Sequence, residues 1–233
     1  MRAAAAVAAR EVRATFSSPF GFGLVAGYLS LAGLLLVLAL RDGEARLDGW
    51  FTPMFILTAA LCSLLTMRSF AEEERSGSLE LLLTAPVHGW QVVVGKLGGV
   101  LAVIAVVLAA TVTAPIIVSV LGDPDWGPIV TGYLGVALVA ASFSALGLAT
   151  SATTPSQLVA AAASVGALLG LWFGASVAGS APGTLGAALT YLSPANHVAG
   201  FLRGTVAVVD VVYFASFIVV ALATATTVLR VRR

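Results

Sequence analysis

The sequence predicts an all-α polytopic membrane protein with six transmembrane helices and an N-terminal interfacial helix, and three observations lead there. First, 59% of its 233 residues are hydrophobic and only 10% are charged, where a soluble domain carries about 25%. Second, with a mean hydropathy of +1.03, a soluble chain of this size could not cover its own apolar surface. Third, between Lys96 and Arg203 the only charged side chains are Asp123 and Asp125. A span needs about 20 apolar residues at about 1.5 Å rise, so that stretch alone holds three. None of them shows the polar face that an outer helix of a soluble bundle needs.

Each element can be read in order. Residues 1–18 are alanine-rich and carry Arg2, Arg10, Glu11 and Arg13, with Val12 and Phe16 four apart on one helical face. This is a weakly amphipathic helix suited to a membrane surface. The apolar run 19–40 is longer than a typical signal-peptide core and forms the first span. A short charged loop, 41–49, leads to the second span, 50–67, with Trp50 expected at the interface. Residues 68–91 are polar. The third span, 92–121, is long enough to tilt or to kink near Pro115. Gly122-Asp123-Pro124-Asp125 is a turn, and the fourth span is 128–150. Thr154-Pro155-Ser156-Gln157 predicts a helix start with Thr154 as the N-cap, opening the fifth span, 156–177. Residues 178–206 are rich in Gly, Ser and Pro yet apolar, with a further helix start at Ser193-Pro194. The last span is 207–229.

Orientation follows from counting. With the N-terminus inside, nine basic residues (Arg2, Arg10, Arg13, Arg68, Arg75, Lys96, Arg230, Arg232, Arg233) are cytoplasmic and three (Arg41, Arg46, Arg203) are outside. This satisfies the positive-inside rule and places both termini in the cytoplasm. Lys96 is expected to snorkel to the inner interface. Gly166, Gly170 and Gly174 form one smooth helix face, suited to close packing within the chain or against a second chain.

Little catalytic chemistry is written here. Gly89 to Lys96 superficially resembles a phosphate loop, but five residues separate the glycines and Leu97 follows the lysine. A Walker A motif needs four, then Ser or Thr. The chain is therefore not expected to hydrolyse ATP. Cys62, the single cysteine, is expected as a small buried hydrophobe. His88 and His197 are isolated and fall on opposite sides in this topology, leaving no metal cluster and no nucleophile–base pair. A net charge of +1 gives no reason to expect nucleic acid. Asp210 is either a functional intramembrane carboxylate or a local end-of-helix charge paired with Arg203; its place near the span end favours the second.

The informative polar stretch is RSFAEEERSGSLELLLTAPVHGW, residues 68–90. Ser69 and Glu72 have capping-box spacing. Glu72, Glu73 and Glu74 sit at the favourable end of a helix dipole, and Glu72 can pair with Arg75. Gly77 allows a break, Leu79, Leu82 and Leu83 make an apolar stripe opposite Glu80, and Pro86 ends the element. From the residues alone this is either a solvated connector or a docking helix for a soluble partner.

Residues 67–87 resemble the signature of the membrane subunits of ABC-2 type ABC transporters. The resemblance is nearest to the branch of the gliding-motility and nitrous-oxide-reductase-maturation permeases. Arg10-Glu11 with Phe16-Ser17-Ser18-Pro19 is similar to the family's entry into its first span. Tyr191-Leu192-Ser193-Pro194, Phe201-Leu202-Arg203-Gly204, Asp210 and Tyr213-Phe214 resemble its final third, so essentially the whole chain is covered, in order.

This resemblance implies a single ABC-2 type transmembrane domain over 1–233, a permease that couples ATP hydrolysis by a separate subunit to substrate movement, with export expected. Arg10, Glu11 and Phe16 would belong to an interfacial elbow helix. Phe70, Glu72, Glu73, Glu74, Arg75, Gly77, Leu79, Glu80, Leu82, Leu83 and Pro86 would form the coupling region on the ATP-binding subunit. Residues 179–203 would form short re-entrant helices, with Tyr191, Ser193, Pro194, Arg203, Gly204 and Asp210 at the outer gate. The partners implied are a cytoplasmic ATPase subunit, which would hold the ATP and magnesium, a second permease chain, and the lipid of a bacterial or archaeal cell membrane. The alternative is a non-transporting scaffold that recruits a cytoplasmic protein through 68–91. An ion-driven transporter would show polar groups near midplane on paired broken helices, which the charge-free stretch argues against. The apolar spans suit a hydrophobic or lipid-like cargo, or force passed to lipid or protein.

Overall fold

The structure is a computed structural model that describes residues 2–42, 47–77, 89–178 and 184–231. Its described elements are helical: α1 (Arg2–Ser17), α2 (Pro19–Ala39) with a 3-10 turn at Leu40–Asp42, α3 (Asp48–Thr66), α4 (Ala71–Arg75), α5 (Gly89–Thr111), α6 (Thr113–Leu121), α7 (Trp126–Thr153), α8 (Gln157–Ala178), α9 (Thr184–Leu192), α10 (Pro194–Leu202) and α11 (Val208–Val231). Six stretches are long and apolar enough to cross a bilayer: Pro19–Ala39, Asp48–Arg75, Gly89–Leu121, Trp126–Thr153, Gln157–Gly174 and Val208–Val231. Six is the number of spans expected.

The α7 helix is the axis of the bundle and packs against α3, α5, α8, α10 and α11. It is buried along its length from Ile129 to Ala152, because small residues let neighbours approach. A side chain at Gly135 would meet the rings of Phe201 and Phe55 at 3.0 and 3.1 Å. Cys62 lies in this core, fully buried. Asp125 starts α7 by accepting a hydrogen bond from the Gly127 amide at 3.0 Å, so the turn before it ends as its sequence requires.

The third span is interrupted where proline demands it. Pro115 has no amide proton, and its ring opposes the carbonyl four residues back, that of Thr111. The helix divides there into α5 and α6. The Thr111 hydroxyl donates to the Leu108 carbonyl at 2.7 Å and meets the Tyr133 hydroxyl at 3.2 Å.

Several local expectations are corrected. The fifth span is capped by Ser156, whose hydroxyl accepts from the Val159 amide at 3.4 Å, while Thr154 accepts from the Ser156 amide at 3.2 Å in a turn. The cap therefore lies two residues later than Thr154. Trp50 is not interfacial: it is 1% exposed and donates to the Ala32 carbonyl at 2.9 Å. An indole with one donor and a large apolar body is as well satisfied between two helices as at a headgroup. Among the described residues nothing packs on the Gly166, Gly170 and Gly174 face, since a Cβ at any of them would meet nothing within 4 Å.

Candidate transmission site

The α1 helix lies across the first half of α5, and glycines on α5 make the seat. A Cβ at Gly95 would come within 2.8 Å of the Ala4 carbonyl, and one at Gly99 within 2.9 Å of the Ala8 carbonyl. One turn of α5 separates these glycines, and Lys96 lies between them.

Lys96 does not snorkel. Its side chain is 1% exposed, and its ammonium donates to Glu11 Oε1 on α1 at 2.6 Å and to the Ser69 carbonyl at 2.8 Å, with Glu73 Oε1 on α4 at 3.0 Å. It also stands over the Phe70 ring, 4.9 Å from the centroid, a cation–π geometry. Arg10, on α1 beside Glu11, pairs with the same Glu73 carboxylate. Two cations and two carboxylates thus close a neutral cluster joining α1, α4 and α5. The expectation failed because α1 covers this end of α5 and leaves the lysine enclosed among acceptors; an ammonium so placed is held by pairing.

The entry into α4 is held from the opposite side. The Ser151 hydroxyl, at the end of α7, accepts from the amides of Phe70 (3.0 Å) and Ala71 (3.1 Å) and donates to the Met67 carbonyl at 2.9 Å. The capping box between Ser69 and Glu72 does not form. Phe70 occupies the N-cap position without a side-chain cap bond, and a hydroxyl from a distant helix serves the orphan amides instead. Glu72 pairs with Arg68 at 3.4 Å rather than with Arg75. Arg68 also donates to Ser18 Oγ at 3.2 Å, tying this segment to the start of α2. Gly77 has φ +73 and follows the end of α4, the break expected of it.

The segment 68–77 therefore has two faces. Phe70, Ala71 and Glu73 point into the bundle, whereas Glu72, Arg75, Ser76 and Gly77 are exposed and Glu74 is half-buried. Arg75 borders a cavity of about 770 Å³ walled by Phe20, Leu24, Leu64 and Leu158. Leu79, Glu80, Leu82, Leu83 and Pro86 lie outside the described residues. Phe16 is 39% exposed near the end of α1.

At the far end of the sequence α9, α10 and the start of α11 form a second polar cluster. His197 is stacked on Tyr213, with ring centroids 3.9 Å apart at 14°. Its Nδ1 lies 2.7 Å from Asp210 Oδ1 and its Nε2 2.9 Å from the Tyr191 carbonyl. Asp210 thus pairs with His197, while Arg203 donates to the Ala199 carbonyl at 3.2 Å. Pro194 opens α10 as expected. Ser193, buried at its N-cap, turns its hydroxyl to the Trp172 carbonyl at 3.1 Å instead of capping. Gly204 takes φ +80 beside Pro128. The second histidine nitrogen faces a carbonyl and no hydroxyl, so the pair does not activate a serine. Among the described residues no three His, Cys, Asp or Glu side chains gather to hold a metal.

Six apolar helices of spanning length, the central α7 among them, define a multi-pass membrane protein. A family model described as ABC-2 family transporter protein matches residues 4–230, and the chain belongs to that family. The match is to a membrane permease and not to an ATP-binding domain, in keeping with the missing Walker A spacing at Gly89–Lys96. No curated protein matches the chain.

Proposed function

We propose that this chain is the permease subunit of an ABC-2 type exporter, working as two permease chains with two cytoplasmic ATP-binding subunits that hold ATP and magnesium. The observation that carries the reading is the buried cluster of Lys96, Glu11, Glu73 and Arg10. A short charged helix that served only as a solvated connector would not need a fully buried lysine tying it to two other elements. Here α4 presents Glu72 and Arg75 outward and is fastened through Glu73 to the third span and to α1. A push on its exposed face is then passed to a span. The region 68–91 acts as the coupling element, α1 as an interfacial elbow helix, and α9 and α10 as short re-entrant helices at the outer gate. Both termini are cytoplasmic, as the distribution of basic residues supports, and the membrane is that of a bacterial or archaeal cell, as the family resemblance implies. Residues 67–87 support placement near the gliding-motility and nitrous-oxide-reductase-maturation permeases.

Affinity purification of the tagged chain in mild detergent tests this. An ATPase subunit in near-equimolar amount is expected, and reversing the exposed Glu72 and Arg75 together should remove it while membrane insertion is kept. Recovery of a different cytoplasmic protein, with no ATPase in several detergents, would favour the non-transporting scaffold.

A further inference from the structure

The α9 helix ends in three consecutive carbonyls, and each is taken by a side chain from a following element. Asn196 Nδ2 donates to the Thr190 carbonyl at 2.6 Å, His197 Nε2 meets the Tyr191 carbonyl at 2.9 Å, and the Tyr213 hydroxyl donates to the Leu192 carbonyl at 2.7 Å. The last carbonyls of a helix have no partner of their own and carry its negative dipole end. Side chains of α10 and α11 therefore make the C-terminal cap of α9 and hold the three helices together.

His197 is the member of this cap with a variable number of protons. Both its ring nitrogens face acceptors: a carboxylate at Nδ1 and a carbonyl at Nε2. A carbonyl oxygen has no proton to offer, and a neutral imidazole carries only one N–H. Both contacts are hydrogen bonds only when the His197–Asp210 pair holds one proton beyond neutral imidazole and ionised carboxylate. We propose that this pair is a proton-binding site and that the bound proton clamps the α9–α10 hairpin to α11. The proton resides on the imidazole, because the C-terminus of α9 favours a cation there and the first turn of α11 favours the Asp210 anion. When it leaves to water, one of the two contacts becomes a lone pair facing a lone pair, and the pair changes from neutral to a single negative charge.

Among the described residues around the pair, α3, which packs on α10, brings Asp48, lining a cavity with Arg203, and the buried Cys62. From α11 the ring meets Asp210 and Tyr213, and from α9 Tyr191 stands edge-on with centroids 5.3 Å apart. From α10 Arg203 is turned to its own helix. The α8 helix contributes a carbonyl to Ser193 and contains no titratable side chain. The titratable side chain of α7 is Tyr133, which meets Thr111; Asp125, at its N-cap, is held by the Gly127 amide. His197 is 7% exposed and Asp210 17%, so the proton has a way out past the carboxylate. The sign follows: the clamp is closed at low pH and loosens as pH rises. On the topology proposed above, that proton sets how readily the outer end opens. This last step rests on that topology; the clamp does not.

The chain has two histidines, so an H88Q protein with ¹⁵N-labelled histidine reports on His197 alone. At mildly acid pH both ring nitrogens should appear as N–H. As pH rises and one N–H is lost, hydrogen exchange of residues 184–202, corrected for its intrinsic pH dependence, should accelerate in step by roughly tenfold. H197Q and D210N should each remove this pH response. A single N–H at every pH, loss of the proton without loss of protection, or an unchanged response in H197Q would each overturn the inference. None of these outcomes bears on whether an ATPase docks at α4.

Discussion

Lys96 and Glu73 face each other at 3.0 Å across the junction of the third span and α4, with the lysine 1% and the glutamate 10% exposed. Breaking such a pair leaves charge without compensation, which costs more than the intact pair contributes. Lys96→Met should therefore lower stability by about 3–5 kcal/mol, read as a fall in the thermal aggregation midpoint in detergent. Adding Glu11→Gln should recover much of the loss, because Glu73 keeps Arg10 as its partner and the carboxylate left without a cation is then neutral. A single variant as stable as wild type would show that the lysine is not enclosed.

Ser151 is far from α4 in sequence yet supplies the cap for its first amides. Ser151→Ala leaves those amides unsatisfied, a loss of about 1–3 kcal/mol. The effect should be local: faster tryptic cleavage at Arg68 and Arg75, with the spans unaffected.

Two sets of glycines should behave oppositely. Gly99→Leu cannot be accommodated against the Ala8 carbonyl, so α1 should lift from α5 and become cleavable at Arg10 and Arg13. Gly170→Leu meets open space within the chain and should leave folding of the single chain unchanged in the same assay.

Cys62 is fully buried and is the chain's single cysteine. A maleimide should not label the native protein in detergent and should label it fully in denaturant. Rapid native labelling would contradict the packing of α3 against α7.

The spans were legible because hydrophobic length is a property of each segment by itself. Breaks at Gly77 and Pro115 and the start at Pro194 were legible for the same reason: one residue's backbone chemistry decides them. What was not legible depends on which helix lies beside which. Lys96 looks like an interfacial anchor until α1 is placed over it, and nothing near Ser151 marks it as a cap for residue 70. His197 looks isolated because its partners come from two other helices, thirteen residues away in the case of Asp210. A clue was available at Lys96: a lone lysine bounded by Gly95 and by Gly98-Gly99 marks a close helix crossing. The glycine face on α8 shows the converse limit, since small-residue spacing announces a packing surface without saying what packs there.

If α4 is the coupling element, its outward face meets an ATP-binding subunit. Because Cys62 is enclosed, a single cysteine at Arg75→Cys can be cross-linked selectively in the wild-type background, with Asp123→Cys, in the loop between α6 and α7, as the comparison. The R75C protein is expected to cross-link to a copurifying ATPase and the D123C protein is not. Cross-linking at 123 with none at 75 would contradict both the coupling role of α4 and the proposed orientation.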